Sequence, residues 1–453
     1  MSERIQALRG MHDILPEDYS YFNLIKKIVH HRARQAGFRR IATPILEKKN
    51  LFVRSVGEQT DIITKELYTL QTKKNGPELA LKPEGTAGIA RAYLEHGLHS
   101  IPQPVELYYV EPHFRHDRPQ QGRTRQFHQF GFEILGEKDP GLDVQIIQLA
   151  DLIHQDLKIA PYLSLQINNI GCLDCRSQYI QSLQDYYVGK ERNLCSDCKI
   201  RLTKNPLRLL DCKSEDCQIL VVSAPKLKNE ICPECHTYHE KVLTLLSAAK
   251  IKNTENPNLV RGLDYYNQTV FEFWSEKQGS QNAVGGGGHY DNLVAELGGP
   301  ETPACGYSGG LERLIALMKE QNLIVADKNY IDVFVVQLSF AAKKIALGLL
   351  KDLRNQGVHA FGALGKTSVK NQLAKANKFK ARFALILGEI EAQTGQVILR
   401  DMQSGSQCTI SLNQVVAEIV KKIGTKNLDL YDPSAELQKE NTERPEDELL
   451  IRD

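Results

Sequence analysis

The segment FRHDRPQQGRTRQFHQFGFE (Phe114–Glu133) sets four arginines, Arg115, Arg118, Arg123 and Arg125, within eleven residues. Guanidinium groups offer a fixed fork of donors that matches phosphate oxygens. Arginines alone would read as a solvated, charged hairpin; the residues after them change that reading. If 125–135 is a strand, its side chains alternate between two faces. Gln126, His128, Phe130, Phe132 and Ile134 then share a face that can pack on a core. Arg125, Phe127, Gln129, Gly131 and Glu133 share the other, which aligns a cation, an aromatic plane, an amide and a carboxylate. An aminoacyl-adenylate site needs that set: phosphate neutralisation, a stacking surface for adenine and polar partners for an amino acid.

Outward from this hairpin, residues 17–36 place Phe22, Ile25, Ile28, Val29 and Ala36 at near-helical spacing after Pro16, with Gly37 as the stop. FRRIATPILE reads as extended and interrupted at Pro44. ELYYVEPHF and TRQFHQFGFEIL read as strands, and Gly141–Asp156 as a helix. DYYNQTVFEFW reads as a strand, followed by the glycine run Gly285–Gly288, and PACGYSGGLERLIALM as a strand entering a helix. Beyond Tyr330, the strand candidates IDVFVVQL, FALILG and QVILR alternate with helical patterns at 340–356, 368–378 and 411–423, which predicts a small α/β domain. Gly365-Lys366-Thr367 resembles the end of a phosphate-binding loop, but position 360 is alanine where that motif needs glycine, so a solvated loop is expected.

The 453 residues, 42% hydrophobic and 25% charged, suit a globular chain of about three domains. No apolar run approaches the ~20 residues of a membrane span. The first residues lack a secretory apolar region, so a cytoplasmic setting is expected. Net charge is +2, but the tail from Thr425 to Asp453 holds nine acidic and four basic residues, leaving a modestly basic body. That tail lacks apolar period and is expected to be largely disordered. Eight of the ten cysteines lie between Cys172 and Cys235, mostly as C-x-x-C pairs. This spacing favours metal binding or reduced thiols over disulfides.

Taken in order, the motifs resemble those of class II aminoacyl-tRNA synthetases, in the form found in histidyl-tRNA synthetases. Phe114–Glu133 resembles motif 2 (about 107–135), GFRRIATPILE motif 1 (about 37–47) and CGYSGGLERL motif 3 (about 305–318). RGLDYYNQTVFEF (Arg261–Phe273) is similar to the family's histidine-site signature, and LKPEGT (Leu81–Thr86) to a further binding segment. The similarity spans about nine-tenths of the chain. It implies an α+β chain: an antiparallel-sheet catalytic domain over 1–325, a cysteine-rich insertion at 171–240, and an α/β anticodon-binding domain over 330–424. It further implies activation of L-histidine by ATP with Mg²⁺, transfer to histidine tRNA, and a homodimer formed through motif 1.

Residue by residue, the resemblance gives Arg115, Arg123 and Arg313 to the ATP phosphates and Phe127 to adenine. Glu84, Thr86, Arg115, Gln129 and Glu133 go to histidine, Tyr265 and Tyr266 to its side-chain pocket, and Arg261 to the α-phosphate. Without the family match, at least one of two neighbouring strand tyrosines would be expected to serve packing alone. Lys366, Lys370, Lys375, Lys378 and Lys380 could meet phosphate but read first as solvated helix charges. Two positions depart from the family's pattern: Asp117 stands where glutamate is common, and His289 where arginine is usual. Cys172, Cys175, Cys195, Cys198, Cys212, Cys217, Cys232 and Cys235 could hold two structural zinc ions, with His236 or His239 as substitutes, or pack as reduced thiols. A regulatory paralogue without the charging reaction would be expected to lack the C-terminal domain and erode the histidine signature; this chain keeps both. A zinc-dependent nucleic-acid-binding module would leave the arginine hairpin unexplained.

Overall fold

A computed structural model describes residues 4–71, 76–119, 122–212, 214–275, 283–325, 330–365 and 368–430. The chain divides into two compact units, Met1–Ala326 and Asp327–Asp453.

The first helix, Pro16–Gln35, begins on the proline that requires no amide donor there. Glu17 and Asp18 sit in its first turn and Arg32 and Arg34 in its last, each favourable to the helix dipole. Gly37 then takes φ +86°, open to glycine at little cost. Phe22, Ile25, Val29 and Ala33 face the core, and Arg32 grips Asp156 with two hydrogen bonds of 2.7 and 2.8 Å. This pins the helix to the end of the helix Pro140–Asp156.

The centre of this unit is an eight-stranded sheet. Its order is Arg39–Arg40, Val105–Phe114, Gln126–Leu135, Ala304–Gly310, Ala283–His289, Asn267–Ser275, Leu163–Asn169 and Asn253–Glu255. All pairings are antiparallel except at the two edges. The ten-residue arms of the hairpin pair from Val105 with Leu135 to Phe114 with Gln126. Phe130, Phe132 and Ile134 are buried beneath the helices Pro16–Gln35, Pro140–Asp156 and Leu311–Glu320. Phe127 and Gln129 face a cavity on the opposite side. Gly131 lies on that side too, where a Cβ would stand 2.4 Å from the Tyr109 ring. The alternation expected for this segment is therefore present.

One local expectation changes. The strand expected from Asp264 starts only at Asn267, because Asp264 turns to donate its amide to the Val56 carbonyl. Tyr265 and Tyr266 thus precede the pleat and need not face opposite ways; their ring centroids are 4.6 Å apart. The polar insertion is helical, with Leu173–Tyr187, Ser196–Lys204, Glu215–Val222 and Pro233–Ala248. Its Tyr179, Leu183, Tyr187, Leu207, Leu209 and Val221 share an apolar cluster with Tyr265, Tyr266 and Tyr290.

The second unit is a five-stranded sheet, ordered Ala360–Gly362, Val333–Gln337, Phe383–Leu387, Gln396–Asp401 and Gln407–Ser411. The first three run parallel, and Gln396–Asp401 is antiparallel to both of its neighbours. Helices Phe340–Asn355 and Leu412–Ile423 bury their apolar sides against it. Lys370, Lys378 and Lys380 are exposed, while Lys375 lies over the Phe361 and Phe379 rings. Lys366 and Thr367 lie outside the described residues. Of the tail, Thr425–Asn427 forms a 3₁₀ turn and Asp429 reaches His359 at 3.0 Å, so its start is packed; residues 431–453 lie outside the described residues. Among the described residues, no helix is long and apolar enough to cross a membrane.

Candidate active site

The cavity has a volume of about 1030 Å³ and is walled by the hairpin, the Arg261 loop, the glycine strand and the start of the helix Leu311–Glu320. At one part of its wall stand three arginines. Arg115 donates to the Pro83 carbonyl at 2.8 Å and its guanidinium lies 5.4 Å from the Phe127 ring centre. Arg123 pairs with Asp117 at 2.6 Å, so the aspartate at the departing position is an anchor for one of the cations. Arg313 donates to the Ala283 carbonyl. Burial first, then the nearby Arg123 and Arg115, pull its guanidinium down to about 10. Three cations this close repel one another, and a polyanion would relieve them.

Another part of the wall carries carboxyl groups. Glu84 precedes the helix Thr86–Glu95 and accepts from the amides of Thr86 and Ala87, both at 2.8 Å, as a carboxylate at a helix N-terminus should. Thr86 donates its hydroxyl to Glu133 at 2.8 Å, and Tyr290 donates to the other oxygen of Glu133. Burial raises the Glu84 carboxyl and lifts that of Glu133 to about 8, with the Glu84 charge adding to the latter shift. Tyr265 donates to Glu84 at 3.4 Å. Burial holds Tyr265, Tyr266 and Tyr290 in the phenol form. Glu84, Gln129 and Tyr265 line the open cavity; Thr86, Glu133 and Tyr266 are buried in the layer behind it. The side-chain oxygen of Gln129 is buried with no hydrogen-bond partner in the protein.

Arg261 also lines the cavity. It forms an ion pair with Glu272 and lies 5.4 Å from the Tyr266 ring centre. Burial would lower its guanidinium, but Glu272 and the tyrosines outweigh that and hold it above the usual range. Trp274 fixes the second oxygen of Glu272 at 2.6 Å. Gly286 makes room for the arrangement: a Cβ there would lie 2.5 Å from the Arg261 Nη1.

Three polar devices hold these walls in register. Glu312 accepts from the His128 amide at 2.9 and 3.0 Å and contacts its ring at 2.9 Å, joining the Leu311–Glu320 helix to the hairpin. Lys82 reaches the Thr43 carbonyl at 3.0 Å and pairs with Glu111, which accepts from the Thr43 amide at 3.0 Å. His289, fully buried, lies between Asp143 at 2.9 Å and Asp291 at 3.0 Å, with the Tyr238 hydroxyl at 2.9 Å. Burial alone would lower the His289 imidazole, but the two carboxylates raise it to about 10. The residue that replaces a permanent cation is therefore itself cationic at neutral pH.

Glu272, Tyr290 and Glu312 did not stand out in the sequence. A carboxylate between buried Phe271 and Phe273 in VFEFW is the signal that could have found Glu272. The cysteines form two quartets, Cys172, Cys175, Cys232 and Cys235, and Cys195, Cys198, Cys212 and Cys217, and Cys195 and Cys212 of the second also line the cavity. His236 and His239 turn instead to Glu240 and Glu255.

The family model of histidyl-tRNA synthetase matches residues 10–175 and 218–314, and that of an anticodon binding domain matches 332–422. A histidine–tRNA ligase of Dehalococcoides mccartyi is 45% identical over 418 residues, covering 92% of this chain and 100% of the relative. One of Desulforamulus reducens is 43% identical over 408 residues, covering 90% and 97%. Among solved structures, apo histidyl-tRNA synthetase of S. aureus superposes with a TM-score of 0.76 at 31% identity, over 92% of this chain and 100% of that one. A Bacillus halodurans protein titled an ATP phosphoribosyltransferase regulatory subunit/histidyl-tRNA synthetase, at 21% identity and a TM-score of 0.61 over 86% and 99%, shares the fold. With this similarity across both units, the chain belongs to the histidyl-tRNA synthetase family, ATP-dependent class II ligases that join histidine to its tRNA.

Proposed function

We propose that ATP and histidine meet in this cavity with the following division of labour. Arg115, Arg123 and Arg313 hold the ATP phosphates, and adenine stacks on Phe127. Glu84 and Thr86 receive the amino end of histidine, with Gln129 and Glu133 completing its polar contacts. Tyr265 and Tyr266 close the side-chain pocket, where an imidazole, both donor and acceptor, needs polar partners. Arg261 stands by the α-phosphate. Mg²⁺ enters with ATP as part of the substrate.

The histidine carboxylate attacks the α-phosphate and pyrophosphate leaves. Two anionic reactants are brought together in that step, so fixed cations both align them and stabilise the charge that builds up. Arg261 suits this task because Glu272, Trp274 and Gly286 fix its position before any ligand arrives. The adenylate then gives up histidine to the terminal ribose of tRNA. No step requires a protein nucleophile, so the cysteines have no part in the chemistry.

The observation that carries this reading is the division of one cavity: crowded arginines in one part, and buried carboxyl groups among tyrosines in and behind another. The same reading makes 330–424 the anticodon-binding domain of a homodimer formed through motif 1, working in the cytoplasm on histidine tRNA. Histidine-dependent exchange between pyrophosphate and ATP, then charging of tRNA, tests the chemistry. Arg261→Ala is expected to lower exchange by about 10²–10³-fold with an unchanged fold. Near-normal exchange would remove Arg261 from the α-phosphate.

A further inference from the structure

We propose that the insertion is a two-zinc module. An outer ion is held by Cys172, Cys175, Cys232 and Cys235, and an inner ion by Cys195, Cys198, Cys212 and Cys217. The fold brings the first cysteine pair to the fourth and the second to the third, a nested order that the spacing alone left open. In each quartet, all four sulfurs lie within 4.8 Å of one another. Thiolates around one tetrahedral zinc at ~2.3 Å stand about 3.8 Å apart. The Cys172–Cys175 and Cys195–Cys212 sulfurs are separated by 3.5 and 3.8 Å. All eight are free, and those two spacings are well beyond a disulfide bond.

The surroundings suit thiolates. Cys172, Cys195 and Cys232 each stand at the N-cap of a helix, where the dipole favours negative charge. Amides point at sulfur: Cys232 donates to Cys175 at 3.1 Å, Cys195 to Cys217 at 3.3 Å and Ser214 to Cys212 at 3.5 Å. Such donors orient and stabilise metal-bound sulfur. Tetrahedral four-sulfur sites take zinc or iron. A four-iron cluster would hold its thiolates farther apart than these, which leaves a single ion per quartet.

The two ions would do different work. The outer one ties the chain leaving the strand Leu163–Asn169 to the start of the helix Pro233–Ala248, closing the neck of the insertion. The inner one clamps both ends of the segment that touches the active-site loops. Within that segment Arg201 pairs with Asp61 at 2.9 Å, and Asn205 donates to Asp264 at 2.7 Å. Arg208 lies so close to Gly262 that a Cβ there would meet it at 2.6 Å. Gly262 and Asp264 lie within the run from Arg261 to Tyr265, so the inner ion is a positioning element for the cavity.

Elemental analysis of the full chain, purified without metal-affinity resin or added metal, is expected to give two zinc per chain. Cys212→Ser and Cys232→Ser should each retain about one. X-ray absorption of the unaltered protein should show zinc with four sulfur neighbours at ~2.3 Å and no nitrogen, a readout that does not depend on the variants folding. About one zinc per chain would overturn the two-ion assignment. Less than one, iron in place of zinc, or nitrogen in the coordination shell would overturn the module.

Discussion

Glu133 is a carboxyl group buried beside another, with Thr86 and Tyr290 as its hydrogen-bond donors. With its titration lifted to about 8, most of these groups carry a proton at pH 7 in the unliganded pocket. An ammonium placed among Glu84, Thr86 and Glu133 would favour the carboxylate and expel that proton. We predict that histidine binding at pH 7 releases close to one proton per site, read as a dependence of the calorimetric heat on buffer ionisation enthalpy. Glu133→Gln should bind more weakly and release none. If the unaltered chain releases none, the amine does not meet Glu133. At this scale the sequence revealed residues whose chemistry is unusual for a strand, such as the row Phe127, Gln129 and Glu133. It concealed Glu272 and Tyr290, because their partners, Arg261 and Glu133, are set by strand pairing and turn geometry. The placing of Tyr265 and Tyr266 shows the same limit: a turn begun by Asp264 overrides the alternation that their neighbours obey.

Among elements, the walls of the cavity are joined by a few buried polar contacts, and the one at His289 is open to a pH test. It joins the helices Pro140–Asp156 and Pro233–Ala248 to the end of the strand Ala283–His289 through Asp143, Tyr238 and Asp291. In the unfolded chain this imidazole titrates near 6.5, and in the folded chain at about 10. The folded value is the higher, so the stabilisation is complete below pH ~6.5 and is lost as pH rises toward 10. Urea unfolding from pH 6.5 to 10 should therefore show falling stability in the unaltered chain. His289→Gln should start lower and lose less across the same range; equal slopes would sink the assignment. Long elements were legible because apolar period, end signals such as Pro16 and Gly424, and burial agree, as in Pro16–Gln35 and Leu412–Ile423. Ala360–Gly362 has only three residues, and Gln407–Ser411 is a largely exposed edge strand; neither carries an apolar period to read.

For the whole molecule, the division into two units has a thermodynamic consequence. Each has its own apolar clusters, so the chain is not expected to unfold as a single two-state body. Urea denaturation followed by circular dichroism should resolve two transitions. A non-reactive ATP analogue with histidine should move only the transition of Met1–Ala326, by about 2.7 kcal/mol at a hundredfold excess over Kd. A single transition that shifts as one would show that the units unfold together. The insertion was the least legible region at this scale. Its surface composition is polar, yet Tyr179, Leu183 and Tyr187 join the cluster that holds Tyr265, Tyr266 and Tyr290. Sequence pattern shows that these residues are apolar but not which core they enter.

The strand Ala283–His289 also bears on drug resistance. Gly285 and Gly286 line the cavity, yet a Cβ on Gly285 would lie 2.2 Å from the Tyr307 hydroxyl and one on Gly286 would meet Arg261 at 2.5 Å. A Cβ on Gly287 would lie 2.0 Å from the Gly306 carbonyl, and Gly288 holds φ +155°. An inhibitor resting on this strip would press against a surface that cannot grow a side chain to repel it without first colliding with the protein's own structure. Escape mutations would have to arise elsewhere in the cavity wall.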